Sequence, residues 1–208
     1  RDEGIRYRVL KWEEVGGVPL IVEGFVEFDR ELSIIGVRGT DGELAFYPIP
    51  ENVHEDGILK VAYAPAPDLT PALGERARGY ATRLLEALDY VGVLTIELFQ
   101  VGDRLLANEM APRVHNSGHW TLEGAETSQF ENHVRAVLGL ALGSTAMRGH
   151  AGMVNLIGAV PGTADVLRHP HVHLHLYRKE PRPGRKVGHM TVRHDDPAVV
   201  RETVAELR

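Results

Sequence analysis

The chain has 208 residues, 43% of them hydrophobic, and a formal net charge of −6, which is enough apolar material for a core in one domain or two small ones. Cysteine is absent, so disulfides and thiolate metal sites are excluded, and no run of about 18 apolar residues predicts a membrane-spanning helix. The negative balance argues against nucleic acid as a partner of the chain as a whole.

From Arg6 to Ala62 the pattern is β-rich. "YRVLKW", "VPLIVEGFVEF", "LSIIGVRG", "ELAFYPI" and "ILKVAYA" predict strands separated by Gly- and Asp-containing turns such as "TDGE" at residues 40–43. "PAPDLTP" predicts a loop, and Thr70 then caps a helix with Pro71 at its first position. Leu73, Ala77, Leu84, Leu85 and Leu88 fall on one broad face of that helix, which is expected to end near Gly92. "VLTIELFQ" and "LLANEMA" follow as two strands around "VGDR".

A second helix is predicted from Ser128, where Ser128 and Glu131 fit a capping box. Phe130, Val134, Val137, Leu138 and Ala141 are expected to face inward, with a stop at Gly143. Beyond "GSTAMRGHAG" the composition shifts to short strands, "MVNLIGAV", "HVHLHLY" and "GHMTV", and a last helix started by Asp196 and Pro197. That shift sets a boundary in the region 143–150, dividing the chain into units 1–143 and 144–208. The opening "RDEGIRYRVLKW" has no Met and no signal-peptide pattern, and it reads like the interior of a longer chain.

Chemistry concentrates in "NEMAPRVHNSGHWT", residues 108–121, a polar stretch that begins in an apolar strand. Glu97 and Glu109 lie on the two strands of a predicted hairpin. A connection with an odd number of residues centred on Asp103 places them opposite each other on one face, whereas a two-residue turn places them on opposite faces. Two carboxylates side by side repel unless a cation lies between them, and Mg²⁺, held by one or two carboxylates with substrate phosphates, suits that place. The alternative is that one Glu simply faces solvent. Behind Glu109 come Arg113, His115, Asn116, Ser117 and the backbone freed by Gly118, donors of the kind a transferring phosphoryl group or an acyl-phosphate oxyanion needs. The alternative there is a polar surface loop.

This stretch, with "TSQFENH" after it, closely resembles the signature of the N5-carboxyaminoimidazole ribonucleotide synthetase family of ATP-grasp enzymes. The resemblance continues through "PLIVEGFVEFDRELSIIGVRG", "FYPIPENVHEDGIL", "YVGVLTIELF" and "KEPRPGRKVGHMTV". It implies an α+β fold: an ATP-grasp C-terminal lobe, mostly antiparallel sheet with flanking helices, plus a small C-terminal β-rich domain. It also implies ATP and Mg²⁺ as cofactors, with bicarbonate and 5-aminoimidazole ribonucleotide as the other substrates, a homodimer and a cytoplasmic setting. In such enzymes ATP phosphorylates bicarbonate to carboxyphosphate, whose carboxyl group passes to the exocyclic amine of the ribonucleotide.

Residue by residue, the resemblance gives Glu23, Gly24, Phe25 and Val26 to the adenine edge, Glu31 to the ribose hydroxyls and His54 to the nucleotide. It gives Asn108 and Glu109 to the triphosphate, with Glu97 and Glu109 as the Mg²⁺ carboxylates. Arg113, His115 and Asn116 correspond to the bicarbonate and carboxyphosphate pocket, and Lys179, Arg185 and Lys186 to the ribonucleotide's 5′-phosphate. On their own, Glu31 reads rather as an exposed charge in a turn and His54 as a solvated loop residue, while Lys179, Arg185 and Lys186 read equally as a basic surface loop.

Two departures stand out. "RDEGI" occupies the place of a glycine-rich, lysine-bearing phosphate loop, so the chain is expected to correspond to the C-terminal part of such an enzyme, to bind ATP weakly by itself and not to turn over alone. Arg178 stands where the family more often has Gly. Rival readings are a sister ATP-grasp ligase that activates formate or carboxylates another substrate, and a non-catalytic nucleotide-binding or dimerisation module. In "HPHVHLHLY", His169, His171, His173 and His175 alternate with apolar residues along a predicted strand. Same-face residues of a strand lie roughly 6.6 Å apart, too linear for one tetrahedral metal site.

Overall fold

The computed structural model describes residues 24–208. "YRVLKW", Glu23 and most of "VPLIVEGFVEF" lie outside the described residues, and the remainder of the latter run, residues 24–28, carries no strand. The strands are β1 (Arg30–Arg38), β2 (Leu44–Phe46), β3 (Glu51–Glu55), β4 (Ile58–Ala64), β5 (Gly92–Val101), β6 (Arg104–Ala111), β7 (His150–Ile157), β8 (Val172–Leu176) and β9 (Lys186–His194). The helices are α1 (Pro71–Ala87), α2 (Thr121–Gly124), α3 (Gln129–Val137), α4 (Thr163–Val166) and α5 (Pro197–Glu206).

The strands form one sheet in the order β6-β5-β1-β3-β4-β7-β9-β8, with β2 beside β1. Every pairing is antiparallel, and through β4 and β7 the sheet runs from the first expected unit into the second. Pairing of β1 with β5 sets Ser33 opposite Glu97, Ile34 opposite Ile96 and Ile35 opposite Thr95. Since successive side chains alternate, the face carrying Leu32, Ile34, Leu94, Ile96 and Leu98 packs against Leu73, Ala77, Ala81 and Leu85 of α1. On the other face, Ile35, Val37 and Val93 pack with Trp120 and Ala136. Farther along β1 and β5 that second face turns polar, at Ser33, Glu31 and Glu97. A third cluster joins Val154, Met190 and Val192 to Val200 and Val204 of α5.

The start of α1 follows its sequence: Thr70 accepts the Leu73 amide and Pro71 opens the helix. Its inner line is Leu73, Ala77, Ala81 and Leu85, with Leu84 half-buried and Leu88 exposed. The helix ends at Ala87, and Gly92 instead opens β5.

Helix α3 departs further from expectation. Ser128 caps it through the Glu131 amide, but the buried positions are Gln129, Asn132 and Ala136. Val134, Val137 and Leu138 are more than half exposed, and Ala141 lies beyond the helix, which stops at Val137 before Gly139 at φ 68 rather than at Gly143. The reason is polar satisfaction. Asn132 bonds the Tyr47 hydroxyl and both backbone groups of Gly143, and Gln129 bonds both backbone groups of His115, so the buried loops this helix covers receive partners for their backbone.

Sequence patterning also missed β3, so His54 sits on a strand rather than in a loop. Strand β8 begins only at Val172. His169 pairs with Glu206 and His171 meets the His194 ring edge-on.

Candidate functional site

The hairpin of β5 and β6 turns in two residues, since Val101 pairs with Arg104. Such a turn alone would separate Glu97 and Glu109 to opposite faces. A bulge corrects the phase: Leu98 pairs with Ala107 but Ile96 pairs with Met110, so Asn108 and Glu109 together oppose Glu97. One extra residue in a strand turns the side chains that follow to the other face. Glu97 and Glu109 therefore share a side, and one ligand atom from each of Glu97, Glu109 and His115 lies within 4.8 Å of the others. Burial raises the Glu97 pKa, and the Glu109 charge raises it further. The donor set fits a hard divalent cation, because two oxygen ligands whose mutual repulsion resists ionisation are relieved by positive charge between them.

These groups end a cleft of about 460 Å³ lined by Glu31, His54, Glu97, Asn108, Glu109 and His115 among others. Glu31 and His54 meet on its wall, with His54 Nδ1 2.7 Å from Glu31 Oε2. Gly24 and Phe25 are exposed and Val26 half-buried just before β1, where Phe28 stacks on Phe99 at 4.5 Å.

The loop after β6 is held from behind. Gln129 Oε1 accepts the His115 amide at 2.9 Å and Gln129 Nε2 donates to the His115 carbonyl at 2.7 Å. Thr121 donates to the Gly118 carbonyl and accepts the Gln129 amide. Gly118 lies so close to Gln129 that an added Cβ would stand 2.6 Å from Oε1. The 3₁₀ turn Asn116–Gly118 opens with His115, whose Nδ1 accepts from the Ser117 amide at 3.3 Å.

Of the residues carried over from the resemblance, His115 is buried beside Glu97, its Nε2 3.4 Å from Oε1. Burial, with Arg113 and Lys186 adding to it, pushes His115 down to about 4. The imidazole is therefore neutral near pH 7, and its approach to Glu97 is a polar contact rather than an ion pair. Arg113 is exposed at the rim and donates to the Val114 carbonyl. Asn116 accepts a hydrogen bond from Lys186 Nζ, so the C-terminal basic segment reaches the loop. Lys186 is pushed down to about 7, by burial first and then by Lys179. Lys179 and Lys186 lie 5.4 and 5.5 Å from the Tyr177 ring centre, while Arg185 turns toward the Glu180 carbonyl.

Ser33, His119, Gln129, Tyr177 and His189 belong to this neighbourhood and were not singled out as site residues from sequence. His119 stacks between Phe130 and His189, and His189 stacks on His175, which bonds Glu123 at 2.7 Å. The signal for Ser33 was present: it follows Glu31 by two in a strand, a polar break in an apolar run on the same face. The imidazole stack had no local signal, since its members come from three separated segments.

An ATP-grasp domain family model matches residues 2–130, and a phosphoribosylaminoimidazole carboxylase C-terminal domain model matches residues 151–203. The chain is 54% identical over 194 residues to the N5-carboxyaminoimidazole ribonucleotide synthase of Pseudomonas aeruginosa, covering 93% of this chain and 53% of that protein. It resembles the crystal structure of N5-carboxyaminoimidazole ribonucleotide synthetase from Thermus thermophilus with a TM-score of 0.90 and 62% identity, over 94% of this chain and 54% of that one. A third likeness is the Aspergillus clavatus synthase in complex with ADP and 5-aminoimidazole ribonucleotide, with a TM-score of 0.83 and 36% identity over 88% of this chain and 51% of that one. The chain thus spans about half the length of the curated relatives it matches.

Proposed function

On the premise that this chain belongs to the ATP-grasp family, with N5-carboxyaminoimidazole ribonucleotide synthases as its relatives, we propose that it carries the phosphate, metal and carboxyl-activating part of such a synthase. The reaction is the ATP-dependent carboxylation of the exocyclic amine of 5-aminoimidazole ribonucleotide by bicarbonate in purine biosynthesis. The observation that carries this reading is the strand bulge that brings Glu97 and Glu109 to one side, beside His115.

Glu97 and Glu109 would hold Mg²⁺, which when bound neutralises charge on the nucleotide's phosphates. Asn108, from the same bulge, reaches the triphosphate. Residues 24–26, exposed at Gly24 and Phe25, offer backbone to the adenine edge, and Glu31, oriented by His54, accepts from the ribose. His115 gives a neutral donor, and Asn116 and Arg113 add donors around bicarbonate and carboxyphosphate, whose negative charge they stabilise in a partly dried pocket. Lys186, Lys179 and Arg185 meet the ribonucleotide's 5′-phosphate. Assembly as a homodimer in a cytoplasmic setting belongs to the same proposal, with Val134, Val137 and Leu138 as an exposed apolar surface to bury. No helix among the described residues is long and apolar enough to cross a membrane.

A graft tests the reading. Replacing the matching stretch of the Thermus thermophilus enzyme with this chain should preserve phosphate release that requires both bicarbonate and 5-aminoimidazole ribonucleotide. A folded graft that hydrolyses ATP no faster with the ribonucleotide than without it would overturn the proposal.

A further inference from the structure

A buried hydrogen-bond chain runs from the strand beside Glu97 to the imidazole that faces it. Ser33, opposite Glu97 in the β1–β5 register, donates from Oγ to Ser117 Oγ at 2.8 Å. Ser117 Oγ lies 2.9 Å from His115 Nδ1, and the Ser117 amide donates to the same nitrogen. His115 Nε2 faces Glu97 Oε1. Ser33 and Ser117 are fully buried and His115 is 6% exposed, so solvent does not compete along the path.

The direction of the relay is fixed by the backbone. An amide N–H can only donate, so His115 Nδ1 must be an acceptor and carry no proton. The ring proton of the neutral imidazole then sits on Nε2, and Ser117 Oγ–H can also donate to Nδ1 while accepting from Ser33. We infer that Ser33 and Ser117 are positioning residues that hold His115 in the Nε2–H tautomer, so that it presents an N–H beside Glu97 rather than a third ligand to the cation site. An Nε2 that bears a proton has no lone pair for a metal, although its distance alone would admit it to the cluster. The lock leaves the cation two carboxylates of this chain and sets an N–H beside them, 3.4 Å from Glu97 Oε1.

The inference rests on the proposed function for its catalytic meaning, but its first readout needs no nucleotide. In the full chain labelled with ¹⁵N-histidine, the His115 resonances, assigned by their loss in His115→Gln, should show a protonated Nε2 and a bare Nδ1. Addition of Mg²⁺ should leave the Nε2 proton in place. Ser117→Ala removes the hydroxyl but keeps the amide donor, so Nε2–H should remain the main form with a measurable Nδ1–H fraction, and Ser33→Ala should show a smaller one. In the graft enzyme, Ser117→Ala should lower kcat by roughly 10- to 100-fold, the range for losing such a supporting partner, with KM for ATP little changed. An Nδ1–H tautomer in the unmodified chain, loss of the Nε2 proton on adding Mg²⁺, or an unchanged tautomer population in the serine variants would overturn the inference. Should Ser117→Ala not fold, the unmodified chain and Ser33→Ala decide it. A correct tautomer in a graft that does not respond to the ribonucleotide would count against the function alone.

Discussion

At Arg178 the backbone adopts φ 53, in the left-handed region that costs a residue with a Cβ about 1–2 kcal/mol. The resemblance led to the expectation of Gly here, and Gly is the residue this conformation favours. Arg178→Gly should relieve the strain, less the extra chain entropy glycine loses on folding, for a net gain of about 0.5–1 kcal/mol in urea unfolding. His119 gives a pH signature. Burial first, then Lys186, pushes it down to about 3, whereas in the unfolded chain an imidazole titrates near about 6.5. The folded value is the lower one, so the unfolded state takes up protons first as pH falls. Its stabilising contribution is complete above about 6.5 and is lost progressively toward about 3. His119→Phe keeps a ring between Phe130 and His189 and removes that titration. The fall in stability between pH 7 and pH 4 should be shallower in the variant, and an equal slope would contradict the buried neutral assignment.

Among the elements, α1 and α3 mark what periodicity could and could not reveal. In α1 the cap, the Pro at the first turn and the four-residue repeat of Leu73, Ala77 and Leu85 all served one apolar interface, so the pattern was legible. In α3 the capping bond of Ser128 was legible and Phe130 is half-buried against His119, but Val134, Val137 and Leu138 face outward because Gln129 and Asn132 are needed inside for loop backbone. Hydrophobic periodicity assigns buried faces by apolarity and has no means of weighing backbone donors contributed by distant segments. Gln129→Ala should therefore cost about 2–4 kcal/mol, leaving both buried backbone groups of His115 without partners. Leu138→Gln should stay within about 0.5 kcal/mol, as at an exposed site. The reverse ranking in thermal or urea unfolding would restore the inward face first expected. The bulge in β6 was illegible for a related reason. It shifts phase by one residue, and sequence alternation allowed either outcome for Glu97 and Glu109.

For the molecule as a whole, one antiparallel sheet carries the site from β6 to β9, so residues far apart in sequence meet along its second face. Antiparallel strands, most turns and the chemical stretch after β6 were readable because each follows from local pattern or a long motif. The junction of Lys186 with Asn116 and the imidazole stack were not, because they depend on how β9 and the loop after β6 are brought together by the sheet. The account depends on Glu97 and Glu109 gripping a single divalent ion at the end of the cleft. Anomalous diffraction from crystals of the chain grown with Mn²⁺ and ADP tests this most directly. The predicted result is one peak within roughly 2.0–2.3 Å of an oxygen from each carboxylate, close to the Mg²⁺ distance, that disappears in Glu109→Gln. A peak bound elsewhere, or one that survives the substitution unchanged, would contradict it.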